Sequence, residues 1–357
     1  MLPTREADPF NDEFECDRCN EVYDIECSVR VGGRKGVLVC EGCDKIELVH
    51  SDCLDYLRSD VADNTFDTII TDPPYGIDFV GTGWDHDVPG PDYWREFLRV
   101  AKPGSMLLSF GGRRTYHRMT CAIEDGGWRI MDCLMWLYGT GKAPNYNFPA
   151  KMEGDSWDGY GTSLKPGYEP ICLAMKPLEG SYCENAGAYG VAGLNIEGCR
   201  IGDGSDRTPG GKSGDKASGV LQDGFHQRRM ERPTGGRWPA NLILSEAVAP
   251  MLQDKARFFY CPKASKKERA NNNHPTIKPL ALIRWLVRLT KPPGGGIVLD
   301  PFMGSGTTGV ACLEEGRRFV GIEKYEDYVG VARYRAEQTI KGDLKVIGGQ
   351  DEKATGV

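Results

Sequence analysis

Three groups of residues in this chain have the types and spacing to do chemistry. The first is Asp72-Pro73-Pro74-Tyr75, set between the run FDTIIT and Gly76. A carboxylate stiffened by two prolines beside an aromatic ring can grip a flat amine. The acid accepts one N–H, a neighbouring backbone carbonyl accepts the other, and the ring stacks on the plane. The second group is Gly304, Gly306 and Gly309, spaced G-x-G-x-x-G after the apolar run GIVLD, with Glu323 ending the next apolar run. Glycines there let a backbone approach a ligand, and the acid can accept hydrogen bonds from ribose hydroxyls. The third is Cys16-x2-Cys19 with Cys40-x2-Cys43, four thiolates at the spacing of a tetrahedral zinc site.

Each group has a plainer reading. DPPY can be a strand followed by a proline-stiffened turn with Tyr75 packed, because prolines cannot donate to a sheet ladder. The glycines can serve a tight strand-to-helix turn alone. The cysteines can be reduced thiols at coincidental spacing.

The first two groups need a sheet to hold them. FDTIITD, SMLLSFGG, RIMDCLMWLYG, GIVLD and RRFVGIE read as strands. VHSDCLDYLRS, PDYWREFLRVAK, RTYHRMTCAIEDGG, PLALIRWLVRLT and YEDYVGVARYRAEQTI read as helices between them, the first with Ser51 or Asp52 as cap. Strands alternating with helices predict an α/β fold whose parallel or mixed sheet is wrapped by helices. Ligands then belong beyond the carboxyl ends of the strands, so DPPY and DPFMGSG share one crevice. Residues 139–240 break this texture: they are rich in Gly, Pro, Asn and Tyr, with short apolar runs such as EPICLAMKP, and regular texture returns with PANLILS and RFFYCPKAS.

Composition bounds the rest. The chain has 357 residues, 40% hydrophobic and 27% charged, and reads as globular. A net charge of −7 argues against a protein that coats nucleic acid nonspecifically, though not against a local basic cleft. Basic residues do cluster, at Arg228, Arg229, Arg232 and Arg237 and again at Arg257, Lys263, Lys266, Lys267 and Arg269. No run of eighteen apolar residues predicts a membrane span. Thirteen cysteines without a secretory signal fit a reducing, cytoplasmic setting.

DPPY, then HPTIKP, then F-x-G-x-G, in that order, resemble the β group of amino-group DNA methyltransferases, enzymes that use S-adenosylmethionine. The resemblance covers roughly residues 46–340 and implies a Rossmann-like doubly wound sheet in permuted order, catalytic motif before cofactor motif. With the paired cysteines resembling a zinc ribbon, the chain divides into five parts: an acidic leader and zinc ribbon over 1–45, a catalytic half over 46–138, and an inserted target-recognition region over 139–260. A cofactor-binding half over 261–345 and a tail over 346–357 complete the chain.

Carried over by position, Asp72 contacts the target amine and also borders the cofactor, Pro73 offers its carbonyl, Pro74 stiffens the turn, and Tyr75 stacks on the flipped base. Asp300, Phe302, Gly304, Ser305, Gly306 and Thr307 line the cofactor pocket, Glu323 holds the ribose, and Asp52 reads the adenine of the cofactor. Ser51 stands where the family more often has Gly. His274, Thr276 and Lys278 in HPTIKP lie near the methionine end, Lys278 pairing with the cofactor carboxylate.

The implied chemistry is direct transfer without a covalent enzyme intermediate. No Pro-Cys pair of the carbon-5 cytosine type occurs; Cys261-Pro262 is the reverse order. Asp at position 72 resembles adenine-N6 enzymes, while cytosine-N4 enzymes more often carry Ser. The implied partners are double-stranded DNA, a second copy of the chain and a restriction endonuclease. Two other classes stay open: a nicotinamide-dependent enzyme, which leaves DPPY and HPTIKP idle, and a non-catalytic zinc-ribbon DNA-binding or adaptor protein.

A ribbon of about thirty residues could hardly fold without its metal. Metal analysis of freshly purified protein should find about one zinc per chain; finding none removes the ribbon.

Overall fold

A computed structural model of the protein describes residues 45–77, 85–139, 160–203, 235–260 and 278–343, with backbone alone at 258 and 341–343. Near the start it adds the backbone of four short strands: β1 (Glu13–Glu15), β2 (Val22–Asp24), β3 (Arg30–Val31) and β4 (Leu38–Val39). β1 pairs with β2 and β3 with β4, both antiparallel. Cys16, Cys19, Cys40 and Cys43 lie outside the described residues.

The remaining strands form one eight-stranded sheet. In chain order they are β5 (Ile46–His50), β6 (Phe66–Thr71), β7 (Ala101–Phe110), β8 (Arg129–Leu137), β9 (Tyr168–Met175), β10 (Leu242–Leu244), β11 (Ile297–Asp300) and β12 (Arg318–Glu323). The spatial order is β10-β8-β9-β7-β6-β11-β12-β5. β9 runs antiparallel to both its neighbours, β7 and β8; every other pair is parallel. β9 comes from the stretch whose irregular composition reads as an insert, yet it is an interior strand. Its signal, the run PICLAM, is short and isolated among glycines and prolines.

Helices cover both faces. α1 (Cys53–Asp60), α2 (Pro91–Val100) and α3 (Tyr116–Asp125) share one core with Ile69 and Leu107, which point to that side of β6 and β7. α5 (Leu280–Leu289), α6 (Thr307–Glu314) and α7 (Glu326–Asp343) share the other with Ile70 and Leu108. The two-residue period of a strand sends neighbours to opposite cores. That explains why FDTIIT is buried at all six positions and shows no polar face. α4 (Tyr182–Tyr189) begins with a Ser181–Glu184 capping box. None of the described helices is long and apolar enough to cross a membrane.

Trp94 of α2 anchors the first core. It is fully buried, donates its indole N–H to the Pro89 carbonyl at 2.9 Å, and meets Phe97 edge-on at 5.5 Å. Trp94→Ala should lower unfolding free energy by about 3–5 kcal/mol, the range for a lost core aromatic. The check is urea denaturation, with an unchanged slope showing that the native state alone was affected.

Candidate active site

β6 and β11 are neighbours and parallel, so the segments that follow them emerge side by side. The junction is tied directly. Thr71 donates its hydroxyl to Asp300 Oδ1 at 2.8 Å, Thr308 of α6 donates to Oδ2 at 2.7 Å, and the Phe302 N–H reaches Oδ1 at 3.2 Å. Asp300 is almost wholly buried. Burial pushes its pKa up to about 7, against the pull of the Thr308 and Thr71 hydrogen bonds.

The turn after β11 is built by conformation and close approach. Gly304 has φ +53°, and a Cβ there would meet nothing within 4 Å, so open space lies beside this backbone. Gly306 has φ +77°, and a Cβ would fall 2.7 Å from Ala332 Cβ of α7. Arg335 of α7 fixes the same turn, donating to the Ser305 carbonyl at 2.7 Å and to the Ser305 and Thr307 hydroxyls at 3.0 Å.

Glu323 closes the turn from the end of β12. Its Oε2 accepts the Gly304 N–H at 2.9 Å and its Oε1 the Tyr325 N–H at 2.8 Å. Burial raises its pKa, opposed by these backbone donors. Sequence alone assigned this acid to a ribose; the structure gives it a second task, holding the glycine turn. On the next strand, β5, His50 lies in register with Glu323, which brings Asp52 to the same corner. Asp52 caps α1 by accepting the Leu54 N–H at 3.0 Å, and its other oxygen is 3.7 Å from Lys324 Nζ. Phe302 packs against Tyr93 and Phe97, with ring centroids 6.1 and 6.0 Å away.

The turn after β6 is held from within. Asp85 is buried and accepts backbone N–H groups from Tyr75 at 2.6 Å, Gly76 at 2.9 Å and Ile77 at 3.4 Å. Thr115 donates to the Tyr75 carbonyl at 2.6 Å. Asp85 was not foreseen; its signal is one acid in a loop of Gly and Asp.

Four side chains meet at the tip of this turn. Lys278 Nζ lies 2.7 Å from Asp72 Oδ2 and 3.0 Å from Glu169 Oε1. The Tyr75 hydroxyl lies 2.6 Å from Asp72 Oδ1 and also against Glu169 Oε1. The ammonium sits 5.4 Å from the Tyr75 ring centre and 4.9 Å from that of Phe110. Burial works against the charge on Lys278, but Asp72 and Glu169 outweigh it and raise its pKa. Burial and the same two carboxylates hold the Tyr75 hydroxyl well above the usual tyrosine value, so it stays protonated. Lys278 was expected at a cofactor carboxylate; in this structure it pairs with the DPPY acid. Glu169 was missed because its segment had no readable period.

Thus Asp52, Asp72, Tyr75, Lys278, Asp300, Phe302, Gly304 and Glu323 lie along one edge, as the strand ends predict. His274 and Thr276 lie outside the described residues, as do Arg228, Arg229, Arg232, Lys263, Lys266, Lys267 and Arg269. Among the described residues no group of three or more His, Cys, Asp or Glu could hold a metal ion.

The Asp300 carboxyl makes stability depend on pH. Its folded pKa of about 7 lies above the ordinary 3.8, so the folded state binds the proton more tightly. The associated stability is fully present below pH ~4 and lost as pH rises through ~7. Urea titrations across this window should show Asp300→Asn lacking that part of the wild-type slope. Identical pH profiles would contradict the assignment.

A type II methyltransferase of Haemophilus influenzae, M.HindIII, is 26% identical over 247 residues, which is 66% of this chain and 64% of that protein. The chain therefore spans just under two thirds of that relative. M2.DpnII of Streptococcus pneumoniae is 44% identical over 72 residues, 20% of this chain and 26% of that protein. Among solved structures, the M1.HpyAVI–SAM complex has a TM-score of 0.43 at 19% identity, covering 81% of this chain and 99% of that one. PvuII DNA methyltransferase (cytosine-N4-specific) has a TM-score of 0.47 at 15% identity, covering 86% and 94%. The profile of the DNA methylase family N6_N4_Mtase matches residues 66–333, from β6 into α7, and the chain belongs to that family.

Proposed function

We propose that the protein transfers a methyl group from S-adenosylmethionine to the exocyclic amine of a base in duplex DNA, adenine N6. One observation carries the reading: the DPPY acid and the glycine turn leave neighbouring parallel strands and are joined through Thr71 and Asp300.

The residues present fit the cofactor. The space beside Gly304 is open, and two carboxylates, Asp52 and Glu323, end adjacent strands. Each Glu323 oxygen has a lone pair beyond its backbone contact, enough to accept from ribose hydroxyls. Asp52 stands where it can accept from an amine, and Phe302 offers an apolar ring. Ser305, Gly306 and Thr307 open α6 with free turn geometry fixed by Arg335. When bound, the cofactor supplies an electrophilic methyl group on a sulfonium.

The chain's own task is positioning and electrostatics. Asp72 accepts one amine N–H and the Pro73 carbonyl the other, which localises on nitrogen the lone pair otherwise delocalised into the ring. Pro74 and the Asp85 clamp keep that acceptor pair rigid. The Tyr75 ring supports the base, which has to leave the duplex to reach it. Asp72 acts as an acceptor rather than a strong base, since the proton of the methylated amine can pass to water. Aspartate rather than serine at position 72 supports adenine over cytosine N4, whose amine has the same geometry. Paired C-x-x-C spacing supports a structural zinc at Cys16, Cys19, Cys40 and Cys43 beside this domain.

The test is incubation with S-adenosylmethionine labelled in its methyl group and unmethylated duplex DNA of mixed sequence. Wild-type protein should label DNA. Asp72→Ala should lose at least about a hundredfold in rate, the scale of a lost preorganised contact, while still binding the cofactor. Comparable turnover by that variant sinks the role of Asp72; reduced nicotinamide binding in place of S-adenosylmethionine sinks the function.

A further inference from the structure

The four-residue cluster poses a problem of hydrogen counting. A phenol has one proton to give. The Tyr75 hydroxyl lies within hydrogen-bond distance of two carboxylates, Asp72 Oδ1 and Glu169 Oε1. It can satisfy one at a time. Lys278 has three protons and reaches both acids, at 2.7 Å and 3.0 Å. With both donors on Asp72, one lone pair on each of its oxygens is engaged, and the carboxylate is a weaker acceptor for a base amine. With both on Glu169, Asp72 is free.

Topology explains why Glu169 is there. β9 is antiparallel to its neighbours, so its first residues, not its last, stand at the edge where β6 and β7 end. Glu169 pairs in register with Trp136 near the end of β8, and Ile171 with Phe110 at the end of β7. Its side chain is only 15% exposed, so water competes little for the carboxylate.

We propose that Glu169 is a positioning residue: it takes the Tyr75 hydroxyl and the Lys278 ammonium from Asp72 as the target amine arrives. The exchange makes and breaks no covalent bond. One phenolic O–H and one N–H turn through a small angle from Asp72 to Glu169, and Asp72 keeps its charge. The Tyr75 and Phe110 rings remain near the ammonium during the change. This inference rests on the reading of Asp72 as the acceptor of the amine.

The test is a double-mutant cycle between Glu169 and Lys278. Glu169→Gln keeps the shape and an oxygen acceptor but removes the charge that draws Lys278 from Asp72. Single-turnover transfer to unmethylated mixed-sequence duplex DNA should slow by about tenfold to a hundredfold, the scale of one charge-assisted hydrogen bond. The cofactor Kd and the thermal midpoint should not change. In a Lys278→Met background, where only the Tyr75 hydroxyl is left to draw away, the same substitution should cost several-fold less than in the wild type. An unchanged rate for Glu169→Gln overturns the proposal. So does an equal loss in both backgrounds, or a loss that appears in cofactor affinity or melting. Failure of the underlying reading looks different: Asp72→Ala would then transfer as fast as wild type, whatever Glu169 does.

Discussion

The ammonium of Lys278 is the contact on which the active edge depends. It is buried and held between Asp72 and Glu169, joining the end of β6, the start of β9 and the residues leading into α5. Two carboxylates this close would repel each other without a cation between them, and removing that cation would leave their charges uncompensated. The same contact engages an oxygen of Asp72, so the pairing that steadies the edge also weakens that acid as an acceptor.

The acids along this edge are satisfied in three distinct ways, and the differences suit their tasks. Glu323 and Asp85 accept backbone N–H groups and fix turns, while Asp52 accepts one as the cap of α1. Asp300 accepts two hydroxyls and one N–H, and locks the junction of the two turns. Asp72 and Glu169 accept from side chains, Tyr75 and Lys278, which can turn. Donors belonging to a turn cannot leave without unfolding it; donors on side chains can. Backbone donors thus hold the glycine turn, and side-chain donors meet the DPPY acid.

Much of this was legible in the sequence because it rests on local pattern. FDTIIT and GIVLD are β-branched and apolar enough to read as buried strands, and the residues after them had to meet at the carboxyl edge. The glycine turn was readable because positive φ at Gly304 and Gly306 demands that residue. Glu169 and Asp85 were not readable, for different reasons. Asp85 acts on backbone N–H groups eight to ten positions away, and a loop acid carries no pattern that announces it. Glu169 depends on the direction of β9, which its short apolar run cannot specify. Lys278 was recognised as important, but its pairing with Asp72 and Glu169 was not read, since a long flexible stem reaches more than one acid.

The central claim is that Asp72 presents an exocyclic amine for methylation. Nucleoside mass analysis of unmethylated duplex DNA, after incubation with the protein and S-adenosylmethionine, tests it most directly. The account predicts N6-methyladenine, and none when Asp72 is alanine. Methyl groups on cytosine carbon-5, or no methylated nucleoside at all, would contradict it.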